Sequence, residues 1–413
     1  MMVEPAVTPA RPDRPSFANA MALVRAHSDL LPAIPVRLSD SLGRVTSEPI
    51  YAVADYPLYD VAAMDGFALA AGDTATATPR TPAVLPLGLP AFAGAPQAAW
   101  RAGGAVPIST GARIPPECDT IIPRERAHVD GGRLIVAEPQ PSDRNIRRRG
   151  EDARAGERIL EPAAIITPAA IGALASYGLA DLPVRALPRI ALFATGDELI
   201  VGTGNPAGGG VFDANTPMVA ALLARAGLAP LIHPAARDTP AQLRDHIAAA
   251  SEAGTAQIII STGGVSVGDR DHVGDVLRAH GATCHFHGVS MRPGKPVLFA
   301  TLPNGSLYFG LPGNPVAALV GARFFVLEAV RAMLGLPPEA GIQAASPIAA
   351  HPTATLFLKV RVDYRGGSPV VDILDGQQSH RMRPLLEANA WLVVDPAAGD
   401  GANARLFPLD GTF

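Results

Sequence analysis

Cysteine is scarce in this 413-residue sequence, which has only Cys118 and Cys284. The two lie far apart and show no metal-ligand spacing, which argues against a disulfide framework, a zinc knuckle and an iron–sulfur site. Such a composition suits a reducing compartment, so we expect a cytoplasmic protein.

The chain also lacks an excess of positive charge. Its 34 Lys and Arg residues are outnumbered by 38 Asp and Glu residues, giving a net charge of −4. A nucleic-acid surface usually shows a basic excess, so we expect no nucleic-acid partner and only local anion sites.

Long apolar runs are missing too. The most apolar helix candidate, residues 315–334, is interrupted by Arg323, Glu328 and Arg331, which predicts a core helix instead of a membrane span. The first 15 residues contain four prolines and mixed charges. They do not resemble a signal peptide, and we predict a disordered leader over residues 1–15.

Turn-forming residues are unevenly distributed and divide the chain into regions of different predicted secondary structure. Glycine and proline number 41 each and are concentrated near residues 80–160 and 335–413, where short apolar runs between turns predict β-rich domains. Between them, residues 189–336 alternate strand-like and helix-like segments, which predicts an α/β sheet. The predicted fold class is therefore multidomain α/β plus β.

Three loops in the α/β region directly follow buried apolar strands: Ala194–Leu199, Ser261–Asp269 and Gly310–Pro315. In open α/β sheets, ligands bind beyond the carboxyl ends of the strands, so we expect these loops to meet at one site. The second loop follows Ile258–Ile260 and contains Gly263 and Gly264, which let backbone N–H groups approach an anion.

Carboxylates accompany these glycines at Asp197, Glu198, Asp269 and Asp271. Together they predict a phosphate site with a bound Mg²⁺ ion, because Mg²⁺ takes oxygen ligands. The alternative for each aspartate is a helix cap or turn.

Cationic candidates lie elsewhere in the sequence. Arg292 and Lys295 stand on a segment stiffened by two prolines, which favours an oxyanion site, with a solvated surface turn as the alternative. The run Arg144–Asp152 is either a second oxyanion site or an ordinary charge run.

Seven ordered motifs across residues 16–410 resemble the MoeA family, the molybdopterin molybdenumtransferases, which are also similar to the C-terminal part of gephyrin. The motifs are Ala63-Met-Asp-Gly-Phe67, Ser109-Thr-Gly-Ala112, Asn145-Ile-Arg-Arg-Arg-Gly-Glu-Asp152, Thr195-Gly-Asp-Glu-Leu199, Thr262-Gly-Gly-Val-Ser-Val-Gly-Asp269, Arg292-Pro-Gly-Lys-Pro296 and Leu311-Pro-Gly-Asn-Pro-Val316.

The resemblance implies an elongated homodimer of four-part subunits. The implied parts are a split N-terminal domain (16–52 and 153–186), a β-rich insertion (53–152), a MogA-like α/β molybdopterin-binding domain (187–336) and a C-terminal β-barrel-like domain (337–413). The active site is expected between one subunit's insertion and its partner's α/β domain.

The implied reaction is Mg²⁺-dependent insertion of molybdate into adenylated molybdopterin with release of AMP. A client molybdoenzyme or the preceding adenylyltransferase is an implied protein partner, and no membrane is implied. The resemblance implies acidic catalytic residues at Asp65, Asp152, Glu198 and Asp269. It implies metal ligands at Asp65, Glu198, Asp213 and Asp269. It implies substrate-binding residues at Thr110, Gly111, Gly263, Gly264, Ser266, Arg292, Lys295, Pro312 and Asn314.

The chain departs from the family pattern at Val61, Ala62, Pro107 and Ala214, which affects substrate contacts more than the fold. Two alternatives to molybdenum insertion stay open at this point. One is a non-catalytic molybdopterin carrier or scaffold, and the other is the molybdopterin adenylyltransferase. The choice between molybdate and tungstate is open as well, since the two anions have nearly the same size and charge.

Overall fold

A computed structural model describes residues 14–200, 209–252, 256–265, 272–344, 349–365, 368–396 and 403–411. The leader, except for its last two residues, and the predicted site residues Ser266 and Asp269 lie outside these ranges. The chain forms two compact units. We call residues 35–184 the insert unit, and residues 1–34 with 185–413 the main unit.

Helix α1 (Phe17–Ala26) is the first described element of the main unit. The Ser16 hydroxyl accepts a hydrogen bond from the Asn19 N–H at 3.1 Å, which caps the first turn. Phe17, Ala20 and Val24 recur at helical spacing and are buried, so one face of the helix packs into the core.

The insert unit is built from short strands and one helix, α2 (Pro168–Ser176). It has two three-stranded sheets, in the orders β6-β4-β7 and β5-β9-β8, and three separate strand pairs, β1-β12, β2-β11 and β3-β10. The strands are β1 (Ala33–Arg37), β2 (Ile50–Tyr51), β3 (Val61–Ala62), β4 (Gly66–Leu69), β5 (Ala83–Pro86), β6 (Val106–Ile108), β7 (Thr120–Pro123), β8 (His128–Asp130), β9 (Arg133–Val136), β10 (Ile146–Arg147), β11 (Arg158–Leu160) and β12 (Asp181–Arg185).

The main unit contains an α/β sheet and a second sheet near its C-terminus. The remaining strands are β13 (Ile190–Ala194), β14 (Leu199–Ile200), β15 (Val211–Phe212), β16 (Leu231–Ile232), β17 (Ile258–Thr262), β18 (Thr283–His287), β19 (Met291–Arg292), β20 (Leu298–Thr301), β21 (Leu307–Leu311), β22 (Ile342–Ala344), β23 (Thr355–Arg365), β24 (Ser368–Ile373), β25 (Ala390–Val394) and β26 (Ala404–Pro408). The helices are α3 (Asn215–Arg225), α4 (Pro240–Glu252), α5 (Val273–Ala279), α6 (Pro315–Gly321) and α7 (Leu327–Met333), with a π-helical segment, Ala322–Val326, between the last two.

The six-stranded α/β sheet has the order β16-β13-β17-β21-β20-β18. The first four strands are parallel, and the last two are antiparallel to their neighbours. Every residue of β13, β17 and β21 is buried, as is typical of parallel strands covered on both faces. The prediction of an α/β domain with a buried strand at Ile258–Ile260 is confirmed.

The C-terminal sheet has the order β19-β23-β25-β26-β22, with β24 paired to β23. Apart from the parallel pair β19-β23, its strands are antiparallel. Within the described residues these strands form an open sheet and do not close into a barrel. The multidomain fold class is confirmed, whereas the predicted four-part boundaries stay a prediction.

The segment 315–333 is a core helix, as predicted. Arg323 is 2% exposed and makes a two-bond ion pair with Glu339 at 2.7 and 2.8 Å. Its guanidinium also donates to the Pro408 carbonyl at 3.2 and 3.3 Å. Among the described helices, none is long and apolar enough to cross a membrane.

We expect Glu339→Gln to lower the free energy of unfolding by about 3 kcal/mol, because it leaves the buried Arg323 charge without a counter-ion. Urea unfolding monitored by Trp391 fluorescence measures the loss. The matched control is Asp275→Asn, which breaks the exposed Asp275–Arg278 pair and should leave the midpoint unchanged. Equal midpoints for Glu339→Gln and the control would contradict the prediction.

Candidate active site

A cavity of about 650 Å³ lies in the main unit at the carboxyl ends of β13, β17 and β21. The three loops selected from the sequence all contribute to its wall, as the topology of an open α/β sheet leads one to expect. The polar and glycine residues that line it include Thr195, Glu198, Asp213, Asn215, Asp238, Thr262, Gly263, Gly264, Gly313, Asn314 and His380.

The glycine turn after β17 is packed directly against Thr195. Gly263 has φ +94° and Gly264 has φ +63°, which side-chain-bearing residues rarely adopt. A Cβ atom on Gly263 would lie 2.4 Å from the Thr195 carbonyl oxygen, and one on Gly264 would lie 2.8 Å from the Thr195 hydroxyl. Glycine is therefore required here by both dihedral angle and space.

Among the described residues, three carboxylates line the cavity, namely Glu198, Asp213 and Asp238. Oδ1 of Asp213 accepts hydrogen bonds from the N–H groups of Asn215 and Thr216, both at 3.0 Å. Asp213 thus caps the start of α3, which is the alternative that the sequence left open for such aspartates. Its second carboxylate oxygen, Oδ2, accepts no hydrogen bond within the described residues.

Asp238 was not predicted from the sequence. It lies between β16 and α4, neither of which was predicted from the sequence, so its loop could not be assigned to the carboxyl edge of the sheet. Burial raises the pKa of Asp238, and the like charges of Glu198 and Asp197 raise it further. The nearby Thr195 hydroxyl and Asp197 backbone oppose this rise in the pKa of Asp238 only partly.

We expect Asp238→Asn to stabilise the metal-free protein at neutral pH. A raised pKa means that the cost of burying the ionised carboxylate is present above the folded-state pKa and disappears as the pH falls through it. The urea midpoint of the variant should exceed that of the wild type at pH 7.5, and the gap should close towards pH 4. A gap that is constant across this range, or a destabilised variant, would contradict the assignment.

Three buried polar side chains in the cavity wall have oxygens that make no hydrogen bond within the described residues. They are Oγ1 of Thr195, Oγ1 of Thr262 at the end of β17, and Oδ1 of Asn215, whose amide nitrogen donates to the Gly313 carbonyl at 2.9 Å. All three residues are less than 10% exposed. Since buried polar groups are normally paired, these oxygens are available to a polar ligand.

The cavity brings together six of the residues predicted from the sequence: Glu198, Asp213, Gly263, Gly264, Pro312 and Asn314. Arg292 and Lys295 belong to the same unit but are exposed and do not line this cavity, although the adjoining Pro296 does. The roles assigned to these side chains stay predictions.

The other predicted residues that the structure describes lie in the insert unit. Oδ1 of Asp65 accepts hydrogen bonds from the backbone N–H of Thr110 at 2.7 Å and from its hydroxyl at 2.8 Å. These bonds lower the pKa of Asp65, and the Arg124 charge lowers it further. Gly111 continues the turn with φ +78°, and Asp152 accepts a bond from the Tyr177 hydroxyl at 3.1 Å.

The arginine run of the insert unit is paired with carboxylates. The pairs are Arg147 with Glu151, Arg148 with Asp60 and Asp143, and Arg149 with Asp55. A guanidinium engaged in this way binds an added anion less readily, so the structure favours the charge-run alternative over a second oxyanion site.

Family models match three successive parts of the chain. Residues 15–178 match the MoeA N-terminal region (domain I and II), residues 191–332 match a probable molybdopterin binding domain, and residues 342–403 match the MoeA C-terminal region (domain IV).

Curated relatives are similar over most of the chain. The molybdopterin molybdenumtransferase of Nostoc sp. is 35% identical over 298 residues, covering 71% of this chain and 68% of the relative. Molybdopterin molybdenumtransferase 2 of Mycobacterium tuberculosis is 34% identical over 387 residues, covering 89% of this chain and 93% of the relative.

A solved structure has the same fold. The molybdopterin biosynthesis MoeA protein from Pyrococcus horikoshii OT3 superposes with a TM-score of 0.80 over 95% of this chain and 99% of its own, at 24% identity. The chain thus has a multidomain fold whose α/β part matches the model of a probable molybdopterin binding domain. The full-length match then establishes the family: the chain belongs to the MoeA family.

Proposed function

We propose that this protein is a molybdopterin molybdenumtransferase that inserts molybdenum from molybdate into adenylated molybdopterin, with release of AMP, in molybdenum cofactor biosynthesis. The observation that carries the proposal is the cavity at the carboxyl edge of the α/β sheet, which is lined by both carboxylates and a glycine turn. A substrate with a phosphoanhydride needs both close backbone approach and a cation.

The residues fit a Mg²⁺ ion. Glu198 and Asp238 are hard oxygen donors. Burial raises the pKa of Asp238 and the charge of Glu198 raises it further, and a cation would relieve that repulsion. No group of three His, Cys, Asp or Glu side chains in the described ranges is arranged to hold a metal. Mg²⁺ does not need one, since it is usually held by one or two carboxylates together with substrate phosphates and water. When bound, Mg²⁺ would neutralise charge on the phosphoanhydride.

The chain's own residues would then perform distinct tasks. The Gly263–Gly264 turn lets the backbone approach the phosphate end of the substrate, because no Cβ atom intervenes. Thr262 and Asn215 offer buried oxygens to the polar heterocycle or its side chain. Glu198 and Asp238 hold the cation against that end.

Several finer points belong to the same proposal. Asp65, Thr110, Gly111 and Asp152 would serve the reaction from the insert unit, Asp269 and Ser266 from the loop after β17, and Arg292 and Lys295 as oxyanion contacts.

We also propose a cytoplasmic homodimer. Light scattering of the purified protein tests the dimer, and a mass of one subunit would overturn it.

The test of function is an AMP-release assay with adenylated molybdopterin, molybdate and Mg²⁺, coupled to activation of an apo-molybdoenzyme. Release of AMP together with active molybdoenzyme is the expected result. No AMP above a protein-free control, despite tight pterin binding, would favour the carrier alternative. Consumption of ATP with unadenylated molybdopterin would instead favour the adenylyltransferase. A parallel arm with tungstate decides which anion is preferred.

A further inference from the structure

Lys359, in the middle of β23, is fully buried. Its ammonium group donates hydrogen bonds to three backbone carbonyls, those of Gly376 at 2.7 Å, Arg381 at 3.1 Å and Gln378 at 3.3 Å. No carboxylate is among its hydrogen-bond partners in the described ranges. A buried cation is costly unless its donors are satisfied, and here one loop, residues 374–381, satisfies all three.

The same loop is fixed at two further points. Oε1 of Gln377 accepts from the Lys359 N–H at 2.9 Å, and the Gln377 amide nitrogen donates to the Lys359 carbonyl at 2.9 Å. The Ser379 carbonyl accepts from the Val316 N–H at 3.2 Å, at the start of α6. The loop is therefore held between the C-terminal sheet and the helix that follows the third cavity loop.

His380 is the residue that this loop presents to the cavity. It is exposed and lines the cavity together with Glu198, Asp213 and Asp238. Among the described lining residues, it is the one side chain that can carry a positive charge. Carboxylates accept hydrogen bonds and repel an anion, whereas an imidazole can donate an N–H to one.

We propose that Lys359 is a positioning residue that fixes loop 374–381, so that His380 donates a hydrogen bond to a tetrahedral oxyanion of the substrates, either molybdate or a phosphate. This inference rests on the proposed function. It also explains why a lysine is buried without a counter-ion: its three donors match three carbonyls of one loop, which a neutral side chain of similar size cannot do.

The kinetic test compares the wild type, His380→Ala, Lys359→Met and the double variant in the AMP-release assay. Each single variant should lower kcat/KM roughly tenfold, mainly through KM, because a binding group is lost or misplaced. If Lys359 acts through His380, the double variant should be no worse than the more impaired single variant. Multiplied losses would overturn the positioning role.

Two further variants separate positioning from general damage. Gln377→Ala removes the side-chain hydrogen bonds that tie the loop to the Lys359 backbone, but it leaves the buried ammonium group in place. It should therefore raise KM as the other single variants do, even if Lys359→Met folds poorly. Arg361→Met removes an exposed cation two residues along the same strand, paired with Asp363, and should behave as wild type. A normal KM in Gln377→Ala, or an equal loss in Arg361→Met, would contradict the inference.

A measurement independent of turnover uses diethyl pyrocarbonate. The rate at which His380 is modified is read by peptide mass spectrometry, with molybdate in one arm and inorganic phosphate in the other. The rate should fall severalfold in the arm that contains the anion bound by His380. Gln377→Ala should abolish the protection. If AMP release fails but this protection is seen, the proposed reaction falls while the inference stands. If neither anion protects His380, or protection persists in Gln377→Ala, the inference falls.

Discussion

Glu198→Gln is expected to slow molybdenum insertion by a factor on the order of 10²–10³, the usual loss when one electrostatic group of an active site is removed. The substitution keeps the size of the side chain and removes its charge. Glu198 lines the cavity and is close enough to Asp238 to raise the pKa of that carboxyl. The two carboxylates are therefore close enough to bind one cation together. Without the Glu198 charge, a cation is bound more weakly there.

The dependence on Mg²⁺ distinguishes a metal-holding role from proton transfer. If Glu198 holds the cation, the variant should need a higher Mg²⁺ concentration for half-maximal rate, and excess Mg²⁺ should restore part of the activity. A proton-transfer role predicts a lower rate at every Mg²⁺ concentration with an unchanged midpoint. Asp275→Asn, on the exposed face of α5, is the matched control and should retain full activity.

Stability should move in the opposite direction. Removing the Glu198 charge relieves repulsion on Asp238, so the metal-free variant should unfold at the same or a slightly higher urea concentration than the wild type. Active sites commonly carry such a cost in stability. A large drop in the midpoint would mean that Glu198 supports the fold, and the kinetic loss would then say little about catalysis.

The central strands were predictable because their sequences are unambiguous. Ile258–Ile260 and Ile190–Ala194 are short apolar runs, and strands buried on both faces need such runs. The edge of the sheet gives a weaker signal. β16 has only two residues, both exposed, and α4 places only two large apolar residues, Leu243 and Ile247, on its buried face among polar residues and alanine, so neither element was predicted.

The residues of the candidate site divide in the same way, into those that follow a clearly predicted strand and those that do not. Glu198, Gly263 and Asn314 were identified because each lies on a loop directly after a recognisable strand. Asp238 follows the strand that was missed, and His380 enters the cavity from a distant sheet, so only tertiary structure reveals either of them. Sequence can place a side chain on a loop but cannot give its direction. Arg292 and Lys295, which are exposed and outside the cavity lining, illustrate that limit.

Gly263→Ala is the second substitution with a large expected effect. The new Cβ atom would lie 2.4 Å from the Thr195 carbonyl oxygen, and the residue would have to keep φ near +94° or move the turn. Strain of this kind costs about 1–3 kcal/mol from the dihedral angle and a similar amount from overpacking. We therefore expect a loss of roughly 2–5 kcal/mol in unfolding free energy, and AMP release close to background.

Gly313→Ala is the matched control, because it lines the same cavity and its Cβ atom would meet only the Gly263 Cα atom, at 3.8 Å. It should leave the urea midpoint nearly unchanged. A normal midpoint and rate for Gly263→Ala would show that the turn can shift freely, and the proposed close approach of its backbone to phosphate would fail.

The neighbouring glycine offers an internal check on this physical cause. At Gly264 the nearest obstacle to a Cβ atom is the Thr195 hydroxyl, 2.8 Å away, whereas at Gly263 it is a backbone oxygen. Thr195→Ala removes the hydroxyl but cannot remove the carbonyl. Because the hydroxyl would also lie 2.9 Å from a Cβ atom on Gly263, Thr195→Ala should restore part of the stability lost in Gly264→Ala and a smaller part of that lost in Gly263→Ala. No rescue of either variant would locate the strain in the dihedral angles and not in the contact with the Thr195 hydroxyl.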